Sequence, residues 1–239
     1  MGSVGVISRR TWVVVGGGLA VSAGFLVLIR LGAGGSGSGG AFVGSMPSLL
    51  TGVLASAIAI WAALSFDRGE ALRRQWLLIG IGMTLILIGD AAYAYLEVIA
   101  QEVLFPSVAD VFYLLSFVFF AGGVVQALFG FRNSLDLRKP MLFAFGACVL
   151  VTAALWTGVF QPVLGDPEAS GLEKVLSVLY PVGDIWLLVF PAAALAVALS
   201  PLGQGRLAWP WWALAVAFAL IAVSDTAFTL LESSDMYVT

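Results

Sequence analysis

The stretch WLLIGIGMTLILIGDAAYAYLEVI, residues 76–99, decides the fold of this chain. It is longer than the roughly 20 apolar residues that an α-helix needs to cross a bilayer, and its charged side chains are Asp90 and Glu97 alone. Its apolar residues do not alternate with polar ones, which argues against a strand of a membrane barrel. Because irregular backbone cannot face lipid, a run of this kind predicts a transmembrane helix.

The composition of the whole chain supports the same interpretation. Of its 239 residues, 61% are hydrophobic and only 10% are charged, and the mean hydropathy is +1.04. Soluble domains carry about 25% charged residues, so a soluble core could not absorb this much apolar surface. The net charge of −3 is small, and no basic run indicates a nucleic-acid partner. We therefore expect the lipid bilayer to be the main partner.

The predicted fold is an all-α membrane helix bundle of about seven transmembrane helices, forming a single membrane domain over residues 1–239. The predicted spans are 11–31, 47–66, 76–99, 107–131, 141–163, 174–199 and 209–231. Residues 32–40, GAGGSGSGG, are predicted to be a flexible linker between the first helix (1–31) and a six-helix remainder (41–239). The first span follows basic residues as a signal peptide does, but its length predicts a retained helix.

The basic residues predict the orientation of these helices, because cytoplasmic loops of membrane proteins are enriched in Lys and Arg. Of the 11 Lys and Arg residues, only Arg30 and Lys174 fall outside the segments that would share one side. The others are Arg9, Arg10, Arg68, Arg73, Arg74, Arg132, Arg138, Lys139 and Arg206. The N-terminus is therefore predicted to be cytoplasmic and residue 239 to lie outside, in a multi-pass protein of the cell membrane.

The residue inventory excludes several kinds of chemistry. The chain has no histidine, which removes the usual axial haem ligand, the commonest zinc or copper ligand and the usual general base. Its one cysteine, Cys148, cannot form an intrachain disulfide. No nucleophile with an adjacent base is evident, so we expect no enzymatic activity, and the sequence indicates no particular cofactor or metal.

Four aspartates lie within or at the edge of the predicted spans: Asp90, Asp110, Asp184 and Asp225. An ionisable side chain is costly in hydrocarbon and usually faces the bundle interior or water, which makes each a candidate functional residue. No basic residue lies at a matching depth to pair with them. We interpret them as the lining of a polar pocket that is open to the outer side. The alternative is a structural role, as bonds between helices or, for Asp110 in PSVAD, as a helix start.

Aromatic side chains accompany these acids and offer a ring and a polar group together. Their alternative interpretation is the aromatic belt that forms where helices leave the bilayer. The predicted ligand-binding residues, acids and aromatics together, are Asp90, Tyr93, Asp110, Tyr113, Tyr180, Asp184, Trp186 and Asp225.

Two pairs of segments indicate an internal repeat. IGDAAYAYLE, residues 88–97, aligns with VSDTAFTLLE, residues 223–232, and PSVADVFYLL, residues 106–115, aligns more weakly with YPVGDIWLLV, residues 180–189. Such echoes in membrane proteins indicate duplicated helix units. If span 7 corresponds to span 3, an eighth helix should follow residue 239, so we expect the chain to be a fragment or to be completed by another subunit.

Proline and glycine inside the spans carry two further predictions. Pro181 and Gly183 lie inside span 6, where they are expected either to break the helix, as at many binding sites, or only to kink it. Gly122, Gly123 and the glycines of spans 1 and 3 are expected to let neighbouring helices pack closely.

The segments GDAAYAYLE, PSVADVFYLLSF, YPVGDIWLL and SDTAFTLLESSDMYV give the chain a family resemblance. It resembles the multi-helix membrane regions at the N-termini of bacterial diguanylate cyclases of the GGDEF type and of related signalling proteins, over roughly residues 75–239. The resemblance implies an eight-helix sensory module that signals to a cytoplasmic output domain. No GGDEF, EAL or kinase sequence is present, so the family's catalytic role does not carry over, and no particular ligand is implied.

Three classes of function fit these features. The first is a sensory or ligand-binding module whose ligand enters from the outer side and shifts the packing of the helices. The second is a proton- or cation-coupled transporter, because unpaired acids within the membrane suit such coupling. The third is a structural subunit of a larger membrane complex, with other membrane subunits or further copies of the chain as partners.

Overall fold

The computed structural model of the protein describes residues 38–101, 105–205 and 207–233. This part of the chain contains no strand and has six helices that are long and apolar enough to cross a membrane. They are α1 (Ser38–Leu64), α2 (Ala71–Ala100), α3 (Val108–Phe131), α4 (Arg138–Gly165), α5 (Gly171–Leu199) and α6 (Trp209–Ser233). The all-α prediction is therefore confirmed. Six of the seven predicted spans correspond to a helix, and the first, residues 11–31, lies outside the described residues.

Helix α1 begins earlier than the sequence predicts. It starts at Ser38, so Ser38, Gly39 and Gly40 of the predicted linker are helical, and Pro47 lies inside the helix. The hydrophobic pattern marks only where apolar residues begin. Backbone hydrogen bonding can continue through the small residues before that point, and for this reason hydropathy sets the helix start too late.

Three helices contain a turn of π-helix, in which a backbone N–H bonds to the carbonyl five residues earlier. These turns are Leu96–Ala100 at the end of α2, Trp156–Phe160 in α4 and Asp184–Val189 in α5. Each holds one extra residue within its helix, and π-turns recur at functional sites. The turn in α5 lies between Pro181 and Pro191, and neither proline has an N–H to donate to the preceding turn.

Helix α5 is continuous through Pro181, so the break that the sequence allows for is not present. Proline leaves the carbonyl of Ser177, four residues earlier, without its usual donor. The hydroxyl of Thr229 in α6 lies 3.4 Å from this carbonyl oxygen and 2.9 Å from the carbonyl oxygen of Asp225. The Asp225 carbonyl is the better acceptor of this one hydroxyl hydrogen, and the Ser177 carbonyl lies at the limit of a second, shared bond from the neighbouring helix.

The chain divides into two compact units. Of the described residues, the first unit comprises 38–58, 83–101 and 105–113, and the second comprises 59–82, 114–205 and 207–233. The core of the second unit includes Phe120 and Phe218, whose rings meet edge to face with centroids 5.1 Å apart. Both side chains are fully buried. Aromatic pairs in this arrangement stabilise a core beyond their buried area alone.

Glycines allow close helix packing in α2 and α3, as the sequence predicts. A Cβ added to Gly80 would lie 2.9 Å from Ile60 Cγ1, and one added to Gly123 would lie 3.0 Å from the carbonyl oxygen of Gln75. Both distances are too short for any larger residue without movement of the neighbour. The glycines of the first predicted span lie outside the described residues.

Large apolar side chains cover the outer face of α4. Leu142, Phe143 and Leu150 are exposed by 71%, 71% and 73% of their surface. In α5, by contrast, Leu195 and Leu199 are fully buried. An apolar outer surface of this kind is unfavourable in water and is satisfied by lipid, as in a multi-pass membrane protein.

Candidate functional site

Asp184 is the most enclosed polar residue of α5. It opens the π-turn near the middle of this 29-residue helix, and 0% of its surface is exposed. Neither carboxyl oxygen has a hydrogen-bond partner of ordinary geometry among the described residues. Burying an unsatisfied carboxyl group is costly, so its presence calls for an explanation other than packing.

Asp225 of α6 is the partner that faces Asp184, and we refer to these two residues as the Asp184 pair. The two side chains are close enough for their charges to act on each other. Their present geometry falls short of an ordinary hydrogen bond. Asp225 is half-buried, whereas Asp184 is completely enclosed. Asp184 is therefore the fully buried member of the pair and Asp225 the partly exposed one.

Aromatic rings adjoin the Asp184 pair on the side of α3. A Cβ added to Gly183 would lie 3.1 Å from Phe117 Cε2, so glycine at this position lets the ring approach the helix directly before Asp184. The Phe117 ring in turn packs edge to face on Tyr180, with centroids 6.0 Å apart. Tyr180 lies one turn before Asp184 and therefore on the same side of α5. The structure thus brings Tyr180, Asp184 and Asp225 into one region of the second unit.

The π-turn is also fixed from α4. The Cys148 thiol lies 3.7 Å from the carbonyl oxygen of Ile185, to which it donates a weak hydrogen bond. The same carbonyl accepts the backbone N–H of Phe190 within the turn. Cys148 is therefore a buried residue that packs on the π-turn and contacts its backbone.

Trp186 does not share the surroundings of Asp184. Its Nε1 donates to Thr152 Oγ1 of α4 at 3.0 Å, and its ring packs on Phe145 with centroids 5.3 Å apart. Residues two positions apart on a helix point in different directions, which explains the separation from Asp184. These contacts fix α5 against α4, and a ligand-binding role for Trp186 stays a prediction.

The first unit holds a second acidic site, which we call the Asp90 site and define as Asp90, Tyr113 and Ser48. The Tyr113 hydroxyl donates to Asp90 Oδ1 at 2.9 Å, and the Ser48 hydroxyl also lies close to this carboxylate. A Cβ added to Gly89 would lie 2.5 Å from Tyr113 Cε1. Glycine before the aspartate is therefore what allows the tyrosine ring to come close enough for this bond.

Polar contacts continue from the Asp90 site along the interface of α1 and α2. Glu97, seven residues after Asp90, lies two turns further on the same face of α2. Its Oε2 is 3.5 Å from the Ser45 hydroxyl, at the limit of a hydrogen bond. The same hydroxyl lies 2.8 Å from the carbonyl oxygen of Ala41, which is the better acceptor. The face shared by Asp90 and Glu97 is thus lined by serines of α1.

Asp110 stabilises the start of α3. Its Oδ2 accepts the backbone N–H of Ser107 at 2.5 Å, while the Ser107 hydroxyl accepts the N–H of Ala109 at 3.2 Å. This reciprocal arrangement satisfies helix N–H groups that have no partner within the helix. The structural alternative that PSVAD suggests therefore accounts for this contact. Asp110 and Tyr93 both lie near enough to Tyr113 for their charges to act on its hydroxyl.

The two acidic sites use matching parts of the predicted repeat. Asp90 and Asp225 occupy equivalent positions of the repeat. The partner of Asp90 lies in PSVADVFYLL, and the partner of Asp225 lies in the aligned segment YPVGDIWLLV. In the first segment Tyr113 supplies a hydroxyl to Asp90. The aligned residue in the second segment is Leu187, which has none. The second segment therefore offers no hydroxyl at the position from which Tyr113 reaches Asp90.

Sequence reasoning missed the hydroxyl residues that complete these sites. Ser48, Thr152 and Thr229 contact or adjoin the candidate residues, and none was singled out. The available signal was an isolated Ser or Thr within an apolar run, since such residues often form bonds between membrane helices. That signal is weak, because the same hydroxyls can bond to a carbonyl of their own helix, as Thr226 does.

Within the described ranges no group of three or more His, Cys, Asp or Glu residues could hold a metal ion. No protein-family model matches this chain, and no curated protein or solved structure is similar to it. The resemblance to GGDEF-associated membrane regions therefore stays a prediction.

Proposed function

We propose that this chain is a sensory or ligand-binding module of the cell membrane that signals to a cytoplasmic output domain or partner. The proposal includes seven spans, with a cytoplasmic N-terminus and a first helix at residues 11–31. Support for it comes from the six apolar helices and from the concentration of basic residues in alternate connections. The ligand would act on acidic residues in the bundle interior.

The observation that carries the proposal is the enclosed, unpartnered carboxyl of Asp184. An Asp at the centre of a membrane helix costs about 2.5–3.5 kcal/mol on insertion scales. Asparagine or leucine would fit a purely structural position at lower cost. A residue kept at such a cost, opposite a second acid, is expected to bind something that neutralises it.

The π-turn offers a way to pass binding on to the rest of the bundle. It begins at Asp184, and α4 contacts it through the Cys148 thiol and through Thr152, which accepts a hydrogen bond from the Trp186 indole. A ligand shifts a conformational equilibrium only by its differential affinity for the two states. Because a π-turn carries an extra residue, its conversion to ordinary helix would rotate one half of α5 against the other and provide a second state.

The proposal is tested by ligand-dependent stabilisation of the chain in lipid nanodiscs. Protons, alkali cations, divalent cations and protonated amines are each titrated while thermal unfolding is followed. At a concentration of 100 Kd a ligand stabilises the folded state by about 2.7 kcal/mol. We expect at least one probe to raise Tm in the wild type and to lose this effect in Asp184→Asn and Asp225→Asn.

The exposed acid Asp67 gives a matched control, because Asp67→Asn removes a carboxylate outside the helices. This variant should respond to every probe as the wild type does. An equal response of all four proteins to every probe would overturn the proposal.

A second candidate function is proton- or cation-coupled transport. The Asp184 pair also favours it, because acids without a basic partner in the membrane mark proton and cation pathways. Flux into proteoliposomes separates the two functions. A sensor gives no flux of the stabilising probe above that of empty liposomes, whereas a transporter gives flux that Asp184→Asn abolishes.

A further inference from the structure

We propose that the Asp184 pair binds a single proton, held between its two carboxyl groups, and that this proton is the ligand of the module. The inference rests on the proposed function and names the ligand class of the same site. On protonation, a proton from the aqueous side forms an O–H bond with one carboxylate and a hydrogen bond with the other. The charge of the pair changes from −2 to −1.

Enclosure selects the proton among the possible cations. None of the surface of Asp184 is exposed, so a ligand as large as a water molecule cannot reach its oxygens without opening the helices. A proton needs no such space. Asp225 is half-buried and is the member through which a proton can enter and leave.

The charges around the pair require a proton to be present. Asp225 from α6 is the titratable group whose charge acts on Asp184. The Cys148 thiol from α4 contacts the carbonyl of the next residue, Ile185, and Tyr180 lies one turn earlier on α5. From α3 the apolar ring of Phe117 meets the adjacent Gly183. None of these groups carries a positive charge.

The nearest basic residue along α5 is distant from the pair. Lys174 precedes Asp184 by ten positions, which is about 15 Å along the helix. Two carboxyl groups that face each other, with no cation beside them among the described residues, disfavour joint ionisation, so the pair holds one proton in acidic and neutral buffer and releases it in alkaline buffer.

The missing hydrogen-bond partners fit the same conclusion. A carboxylate buried without a donor is strongly disfavoured, whereas a protonated carboxyl carries its own donor. A proton on Asp184 would be donated to Asp225 and would give both carboxyl groups the hydrogen-bond partner that Asp184 lacks. Asparagine at position 184 keeps a donor at the same place, so Asp184→Asn mimics the protonated state.

Difference infrared spectroscopy of the chain in nanodiscs, between mildly acidic and mildly alkaline buffer, tests this inference. We expect the wild type to show the C=O stretching band of a protonated carboxyl that disappears in alkaline buffer and shifts in D₂O. The band should be missing in Asp184→Asn and in Asp225→Asn and unchanged in Asp67→Asn. A wild type without the band, or a band that persists in both pair variants, would overturn the inference.

Stability against pH gives an independent second readout. A folded state that holds one proton more than the unfolded state loses stability as pH rises, and its folded-to-unfolded ratio falls about tenfold per pH unit while that proton is retained. Asp184→Asn should lose this slope while it keeps the fold.

Failure of this inference is distinguishable from failure of the proposed function. If an alkali cation or an amine stabilises the chain through the pair and the infrared band is missing, the proton is the wrong ligand and the ligand-binding function stands.

Discussion

Replacement of Gly89 by alanine tests whether the Asp90 site is as closely built as the structure indicates. The added Cβ would lie 2.5 Å from Cε1 and 2.8 Å from Cδ1 of Tyr113. These atoms belong to a rigid ring, so the whole tyrosine side chain must move. The 2.9 Å hydrogen bond from its hydroxyl to Asp90 would then be lost.

The expected loss of stability follows from three contributions. Overpacking costs about 1–3 kcal/mol, and a lost hydrogen bond between membrane helices costs about 0.6–1.7 kcal/mol. Alanine gains about 1 kcal/mol over glycine in helix propensity, which offsets part of this. We therefore expect Gly89→Ala to lower the free energy of unfolding by about 0.6–3.7 kcal/mol.

Reversible unfolding in mixed micelles with increasing SDS measures this quantity. Gly146→Ala is the matched control, because nothing lies within 4 Å of a Cβ added there. It should be neutral or stabilise by up to about 1 kcal/mol. Tyr113→Phe removes the hydroxyl alone and should cost about 0.6–1.7 kcal/mol. If Gly89→Ala were as stable as Gly146→Ala, the close contact between Gly89 and Tyr113 would be wrong.

Two further predictions concern bonds between helices of the second unit. Thr229→Val removes the donor that lies 3.4 Å from the Ser177 carbonyl and should lower the free energy of unfolding by about 0.6–1.7 kcal/mol. Thr226→Val loses only a bond within α6 and should cost less. Equal losses in the SDS titration would argue against the contact with α5. Thr152→Val removes the acceptor of Trp186 Nε1, so we expect a similar loss of unfolding free energy together with a change in tryptophan emission. Unchanged emission and stability would show that this bond is not formed.

Hydropathy was sufficient to predict the helices but not their internal irregularities. Long apolar runs can be satisfied in lipid only as helices, so each described span has its helix. Hydropathy does not mark the π-turns, because one extra residue within a helix leaves the apolar run unbroken. In α5 the sequence identifies Pro181, but the Thr229 hydroxyl beside the Ser177 carbonyl comes from a helix whose position the sequence does not give.

The candidate site was predictable in its residue types rather than in its pairing. Asp90, Asp184 and Asp225 are conspicuous in the sequence because acids are costly in the membrane. Helical periodicity places them on a face of their own helix, but it does not identify the opposing residue. The association of Asp184 with Asp225, and of Trp186 with Thr152, therefore became visible only with the packed helices.

We propose that Asp184 serves binding rather than stability, and the unfolding free energy of Asp184→Asn distinguishes these two roles. Asparagine has the same shape and cannot ionise. In SDS titrations of bicelle-reconstituted protein, we predict that this variant matches the wild type in acidic buffer and exceeds it in alkaline buffer. A loss of more than about 1 kcal/mol at both pH values would contradict the claim, because it would mean that the carboxyl of Asp184 serves mainly to bond the helices together.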